Sequence, residues 1–173
     1  MATYSLVSRW RFEAPVVAIW EALTLAETWP RWWRYVESVE LLERGDGEGC
    51  GAVRRFVWTS RLPYRLAFQM RTTRVERLRS IAGAAVGELN GFGRWDLESA
   101  GPITSARYTW IVTTERAWMN RLSPLLGPVF RWNHHAVMKE GAGGLARHLG
   151  VRLVSAEAGK ALHAAPISPS IYR

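Results

Sequence analysis

From about residue 35 to residue 115 the chain reads as one strand after another, and then a single long helical segment follows. This order constrains the fold more than any other feature of the sequence. "VESVELLE" is followed by the turn cluster "RGDGEGCG", then by "AVRRFVWTS" and "YRLAFQMRTTRVE" with "RLP" between them. "SIAGAAVGEL" and "GRWDLES" flank Asn90-Gly91, a strong short-range hairpin signal. "AGP" turns the chain again into "TSARYTWIVTTE". A long antiparallel sheet with one apolar face must cover that face. The only element long enough to do so begins at about residue 117 and runs to Gly150.

The N-terminal part completes the plan. "YSLVSRWRFEA" alternates apolar and polar residues, the period of a half-buried strand. Pro15 then suits the first turn of a helix, where its missing N–H costs nothing. That helix carries Val16, Ile19, Trp20 and Leu23 at helical spacing. "AETWPRWWRY" is a second short helix or turn, broken by Pro30. In the long segment, Ser123-Pro124 has the form of an N-cap followed by proline, and Pro128 is expected to bend or restart the helix. The expected fold class is α+β: a curved antiparallel sheet of about seven strands wrapped around a long C-terminal helix, with two short helices after the first strand. Residues 1–150 form the single expected domain, and 151–173, with weak periodicity and two late prolines, a flexible tail.

Composition narrows the function classes. The 173 residues suffice for one domain with a core and an internal pocket. Apolar residues make up 48%, which excludes a disordered chain. Ten tryptophans suit a large apolar interior, because the indole is broad and its N–H still finds a polar partner. The net charge of +8 is almost all arginine, since Lys139 and Lys160 are the only lysines. These arginines serve either as ordinary surface cations or as an attraction for an anionic partner, such as an acidic carrier protein. They are scattered along the strands with no basic run, which speaks against nucleic acid. Cys50 is the only cysteine, so no internal disulfide forms; in "GEGCG" it reads as a small loop residue. The N-terminus lacks the form of a signal peptide and no apolar run reaches membrane-spanning length, so a cytoplasmic location is expected.

Strand alternation assigns faces. Leu66, Phe68 and Met70 point inward, as do Tyr108, Trp110 and Val112. With Asn90-Gly91 as the turn, Glu88 pairs with Gly93, and Ala84, Val86 and Glu88 share the inner face with Trp95 and Leu97. If Phe56 and Trp58 face inward, so does Arg54, and an arginine in an apolar pocket needs an anion. Glu88 or a ligand carboxylate, phosphate or enolate would supply one. Glu88 itself reads either as a rim carboxylate paired with an arginine or as a general acid/base whose pKa burial would raise.

On the long helix, Trp118, Leu122, Leu125, Leu126, Val129 and Val137 define the expected buried stripe, with Asn133 near its centre. His134 falls on the flank and His135 on the wet side, diverging by about 100°. Metal ligands must converge, so neither a metal nor another cofactor is expected. Asn133 is a satisfied core amide or a donor to a ligand carbonyl. Tyr64 and Tyr108 are structural or polarise a carbonyl. Trp29, Trp32 and Trp33 plug one end of the pocket or stack on a flat ligand.

The stretches "FEAPVVAIWEALTLAETWPRWW", "GELNGFGRWDLE" and "WMNRLSPLLGPVFRWNHHAVMKEG" resemble the opening, central hairpin and final helix of the polyketide cyclase/dehydrase-like group. That group is part of the SRPBCC superfamily, which also holds START domains and the birch-pollen-allergen family. The resemblance covers residues 4 to about 150 and implies the helix-grip fold. It implies a hydrophobic ligand, such as a lipid, isoprenoid or polyketide, held between sheet and helix. Trp29, Trp33, Trp58, Tyr64, Phe68, Met70, Trp95, Tyr108, Trp110, Val129, Asn133 and Val137 are the candidate ligand contacts. The alternative is a cyclase/dehydratase that folds a poly-β-keto chain, with Glu88 moving protons and Arg54 and Asn133 steadying enolate oxygens. An acyl carrier protein is then a candidate partner. A further alternative is a non-catalytic module that meets an acidic partner.

Overall fold

The computed structural model describes the backbone of residues 3–114 and 117–160, and the side chains of 3–113 and 128–159. Strand β1 (Thr3–Glu13) leads through Pro15 into helix α1 (Val16–Thr24) and a 3-10 segment (Ala26–Arg31). Strands β2 (Val36–Glu43), β3 (Val53–Trp58), β4 (Leu66–Glu76), β5 (Ser80–Gly87), β6 (Leu89–Ala100) and β7 (Ile103–Thr114) follow. Helix α2 (Ala117–Leu149) and strand β8 (Arg152–Lys160) close the described chain. The strands form one antiparallel sheet in the order β2-β3-β4-β5-β6-β7-β1-β8. This is the helix-grip architecture that the resemblance implies, with one strand more than expected.

The eighth strand overturns part of the expected tail. Residues 152–160 pair with β1, and the sheet therefore extends past residue 150. A register shift between Arg11 and Phe12 sets Leu153 opposite Phe12 and Ser155 opposite Arg11. The extra residue, Val154, breaks the two-residue period, as a bulge does. Small alanines at 156 and 158 weaken the pattern further. The rest of the expected tail, 161–173, lies outside the described residues.

Helix α2 also departs from expectation. It is one continuous α-helix of 33 residues, about 50 Å at 1.5 Å per residue, with Ser123, Pro124 and Pro128 inside it. Ser123 is therefore not its N-cap. Each proline removes one intrahelical donor and crowds the carbonyl four residues earlier, yet the helix continues through both. Pro15 is the residue before α1, and its carbonyl accepts from the Ala18 and Ile19 amides.

The core lies between the inner sheet face, α1, the 3-10 segment and the C-terminal half of α2. Trp10 is fully buried at its centre, with ring centroids 4.8 Å from Trp95 and 5.2 Å from Trp33. Ile19 and Leu23 from α1 and Ala142, Leu145 and Ala146 from α2 complete it. Trp29 donates its indole N–H to the Ala22 carbonyl at 3.1 Å, and Trp33 donates to the Val137 carbonyl at 3.0 Å. These two bonds satisfy the polar ends of rings that are otherwise buried in apolar surroundings.

Several outward arginines pair with acids on the same surface. Arg65 bonds Glu37, Arg71 bonds Glu43, Arg94 bonds Asp96 and Arg152 bonds Glu13. No helix of the described residues is long and apolar enough to cross a membrane.

Candidate functional site

The inner faces of β1, β3, β4, β6 and β7 stand away from the middle of α2, and the space between holds two neighbouring cavities. The first has a volume of about 150 Å³. Leu6, Leu66, Trp110 and Val112 line it from the sheet, Phe130, Val137 and Met138 from α2, and Thr59, Ser60 and Tyr64 from the β3–β4 loop. The second, of about 70 Å³, lies toward α1 and the β4–β5 end, among Leu23, Phe56, Met70, Ile81 and Gly83. Trp29, Trp58, Phe68, Trp95 and Tyr108 border both and form the wall between them. Rings in this wall lie close together, with Trp95 and Tyr108 centroids 4.6 Å apart and Trp29 and Trp58 6.2 Å apart.

Each strand supplies its inner residues by alternation. Phe68 opposes Phe56, Met70 opposes Arg54, and Leu66 opposes Trp58, so all six share the inner face. Trp95 opposes Tyr108, and Gly93 opposes Trp110. A Cβ on Gly93 would come within 2.7 Å of the Tyr108 hydroxyl, so the missing side chain leaves room for that ring. Of the expected ligand contacts, Trp29, Trp33, Trp58, Tyr64, Phe68, Trp95, Tyr108, Trp110, Asn133 and Val137 line the first cavity. Met70 lines only the second. Val129 is half-buried and borders neither.

Glu88 is not on the inner face. Ala85 opposes Gly91 and Gly83 opposes Gly93, so the pairing is shifted by five residues from the register expected for an Asn-Gly turn. An odd shift reverses the faces of β5. Val86 accordingly points outward and is 57% exposed. The chain reverses at Glu88 instead, because Asn90 does not take the positive φ that a type I′ turn requires. Its side-chain oxygen accepts the Gly87 amide at 3.1 Å and brackets the turn. The Glu88 carboxylate accepts the Ala67 amide at 2.6 Å, at the end of the β4–β5 ladder and outside the cavity lining.

Arg54 does face inward and lines the second cavity, but its anion is Glu27 from the 3-10 segment, at 3.0 Å. Trp32 lies against α2 and stacks on His148, with centroids 6.5 Å apart.

The helix side of the site is rotated from the expected stripe. Phe130, Asn133, Val137, Met138, Ala142, Leu145 and Ala146 are buried. At ~100° per residue this set is centred on His134, with Asn133 on one flank. The residues of the expected stripe between 118 and 126 have no described side chains. His134 lines the first cavity, and burial, followed by the neighbouring His135, pushes its pKa down to about 4. It is therefore a neutral imidazole near pH 7. His135 is also lowered, by burial first and by Arg131 second. Sequence reasoning missed His134, Tyr4, Phe130 and Met138. Alternation along β1 places Tyr4 with Trp10, and four-residue spacing places Phe130 and Met138 with His134; both signals were present.

The polar atoms of the first cavity are few. Asn133 is buried, and its Nδ2 donates to the Tyr64 hydroxyl at 3.5 Å. The Tyr4 hydroxyl, Trp58 Nε1, Asn133 Oδ1 and His134 Nε2 are buried without a hydrogen-bond partner among the described residues. Burial raises the pKa values of Tyr4 and Tyr108, so both remain phenols. No described residue around this cavity carries a formal charge. Among the described residues no three His, Cys, Asp or Glu side chains converge as metal ligands would.

Comparison with known proteins agrees with this geometry. The chain is similar to the Zhui aromatase/cyclase from Streptomyces sp. R1128, with 18% identity and a TM-score of 0.67 over 86% of this chain and 96% of that one. It is similar to a START superfamily protein from Mycobacterium smegmatis, with 15% identity and a TM-score of 0.69 over 84% and 97% of the two chains. Ara h 8.0201 matches with 11% identity and a TM-score of 0.55 over 84% and 99%. At these identities the likeness is one of fold. No curated protein matches the chain by sequence. Residues 5–150 match the family model described as polyketide cyclase / dehydrase and lipid transport, and the chain belongs to that family.

Proposed function

We propose that this protein binds a hydrophobic small molecule, of lipid, isoprenoid or polyketide type, between the sheet and α2. The observation that carries the reading is the set of four buried polar atoms, on residues around one apolar cavity, that have no hydrogen-bond partner among the described residues. Each such atom costs about 1–3 kcal/mol when left unbonded, and native interiors hold few of them. A cluster of them in a concave apolar space is the form of a ligand site. Denaturing the purified protein and analysing the organic extract by mass spectrometry tests this, together with titration of small apolar probes against tryptophan fluorescence. A co-extracted molecule or saturable quenching is expected. Empty extracts combined with no uptake of any probe would sink the reading.

A second reading is a cyclase/dehydratase that holds a poly-β-keto chain folded, with an acyl carrier protein delivering it to this basic surface. Asn133, His134 and Tyr64 all line the first cavity, with Asn133 bonded to Tyr64, and this favours it. In this reading the neutral His134 and Asn133 hydrogen-bond enolate oxygens. Glu88 takes no part, since its carboxylate is held by the Ala67 amide. Arg54 acts only on a chain long enough to enter the second cavity. If His134→Gln and Asn133→Leu alter the products formed from a linear polyketone while binding persists, catalysis is supported; an unchanged product profile refutes it. A non-catalytic module that meets an acidic partner predicts instead a complex that weakens steeply with salt.

A further inference from the structure

The polar inventory of the first cavity specifies more than a hydrophobic guest. Asn133 Oδ1 only accepts hydrogen bonds, Trp58 Nε1 only donates, and the Tyr4 hydroxyl does both. His134 presents a neutral ring. The titratable groups that border the cavity are Tyr4, Tyr64, Tyr108 and His134. Three of the charged groups nearby are engaged elsewhere. Arg54 meets Glu27 across the aromatic wall, Arg61 lies over the Trp132 ring, and Glu88 is held at the Ala67 amide. Arg131 acts on Tyr4 and His135. Arg131 lies outside the lining and reaches the cavity only through its field at Tyr4, so an anion placed there would lose its hydration without a cation in direct contact, and would sit beside the Asn133 oxygen. A plain hydrocarbon would leave all four polar atoms unbonded.

The volume adds a size limit. About 150 Å³ is the size of an engineered apolar cavity that takes up benzene. One aromatic ring fits, lying against Phe68, Trp95 and Trp110.

We propose that the first cavity selects an uncharged, hydroxylated aromatic ring, its O–H donating to Asn133 and its oxygen accepting from Trp58 or Tyr4, and that it rejects the ionised form of the same ring. The ring is either a small ligand or the terminal part of a larger one. The inference rests on the binding reading above and assigns its chemistry.

Three probes separate the two. Titration calorimetry with p-cresol and toluene is expected to show p-cresol bound at least tenfold more tightly. Asn133→Leu and Trp58→Phe should each reduce that preference to threefold or less, with toluene uptake serving as the check that the cavity is intact. 4-Nitrophenol changes colour on ionisation. Bound, it should show the absorption of the neutral phenol at a pH where the free dye is phenolate, and its apparent Kd should rise tenfold per pH unit above its ordinary ionisation. Equal affinity for p-cresol and toluene, or tight binding of the phenolate, overturns this inference and leaves the binding reading standing. Failure of all three probes to bind overturns this inference, and together with empty extracts and no uptake of any other probe it overturns the binding reading as well.

Discussion

A methyl group on Gly141 would lie 2.3 Å from Cε2 of Trp33, the same indole that donates its N–H to the Val137 carbonyl. One turn further along, a methyl on Gly144 would lie 1.9 Å from the Trp32 carbonyl oxygen. Helix α2 and the end of the 3-10 segment thus meet almost backbone to ring. The contact fixes the rotation of α2 about its axis, and so determines that His134 faces the cavity while His135 does not.

Alanine scanning of the three glycines tests this docking. Alanine raises helix propensity by up to about 1 kcal/mol at each position. At Gly143 the nearest obstacle is the mobile end of Arg147, 3.2 Å away, so Gly143→Ala should stabilise modestly. At Gly141 the obstacle is a buried ring, and overpacking of about 1–3 kcal/mol should outweigh the gain. At Gly144 it is backbone, and the loss should be larger still. Urea denaturation of the three variants gives the order; a Gly144→Ala protein as stable as the parent would contradict the docking.

His134 predicts a pH dependence with a definite sign. Its folded pKa lies near 4, below the ordinary value of 6.5, so between these values the unfolded chain binds more protons than the native one. Stability is therefore full above pH 6.5, falls as the pH drops, and has lost the whole contribution below about 4. At about 1.36 kcal/mol per pKa unit the full loss is about 3 to 3.5 kcal/mol. Denaturation at pH 7 and pH 4.5 should show it, and His134→Gln should flatten the profile in that window. His135, shifted the same way, adds with the same sign.

The sheet was largely legible in the sequence, and the reason is physical. Two-residue alternation is a local property, so Leu66, Phe68, Tyr108 and Trp110 could be placed on the inner face without knowledge of their partners, whereas Phe56 and Trp58 entered only as a condition. What failed depended on distant atoms. The β5–β6 register turned on whether Asn90 bends the backbone or brackets it with a side chain, and the second case moved Glu88 out of the cavity. Strand β8 was hidden by a bulge that only its pairing with β1 explains. His134 was missed because a helical wheel gives relative angles, whereas the absolute rotation comes from Gly141 and Gly144 against Trp33 and Trp32.

The β3–β4 loop closes the first cavity as a strap held by consecutive residues of α2. The Arg61 guanidinium lies 5.6 Å from the Trp132 ring centroid, and Tyr64 meets Asn133. Trp132 is 51% exposed, so its ring serves this contact more than the core. An exposed cation–π pair contributes about 0.5–1 kcal/mol. Trp132→Ala should therefore speed dissociation of a bound aromatic by roughly two- to fivefold in stopped-flow fluorescence, with little change in melting temperature. An unchanged dissociation rate would show that ligands leave by another route.

The five rings between the cavities set the length of ligand the protein accepts. Phe68 belongs to this wall, with its ring 5.7 Å from Phe56 and 5.8 Å from Trp110. Removing it joins a space of about 150 Å³ to one of about 70 Å³ and adds the volume of the lost ring. Phe→Ala in a core costs about 3–5 kcal/mol, so the variant should be less stable than the parent. Phe68→Leu keeps part of the packing and serves where Phe68→Ala does not fold. Either variant should bind two-ring probes such as naphthol more tightly relative to p-cresol than the parent does. That outcome is expected because a joined space lets the second ring reach Met70 and Ile81 without displacing Trp58 or Tyr108. If the ratio of the two affinities does not change, the cavities already exchange freely and Phe68 is not a barrier between them.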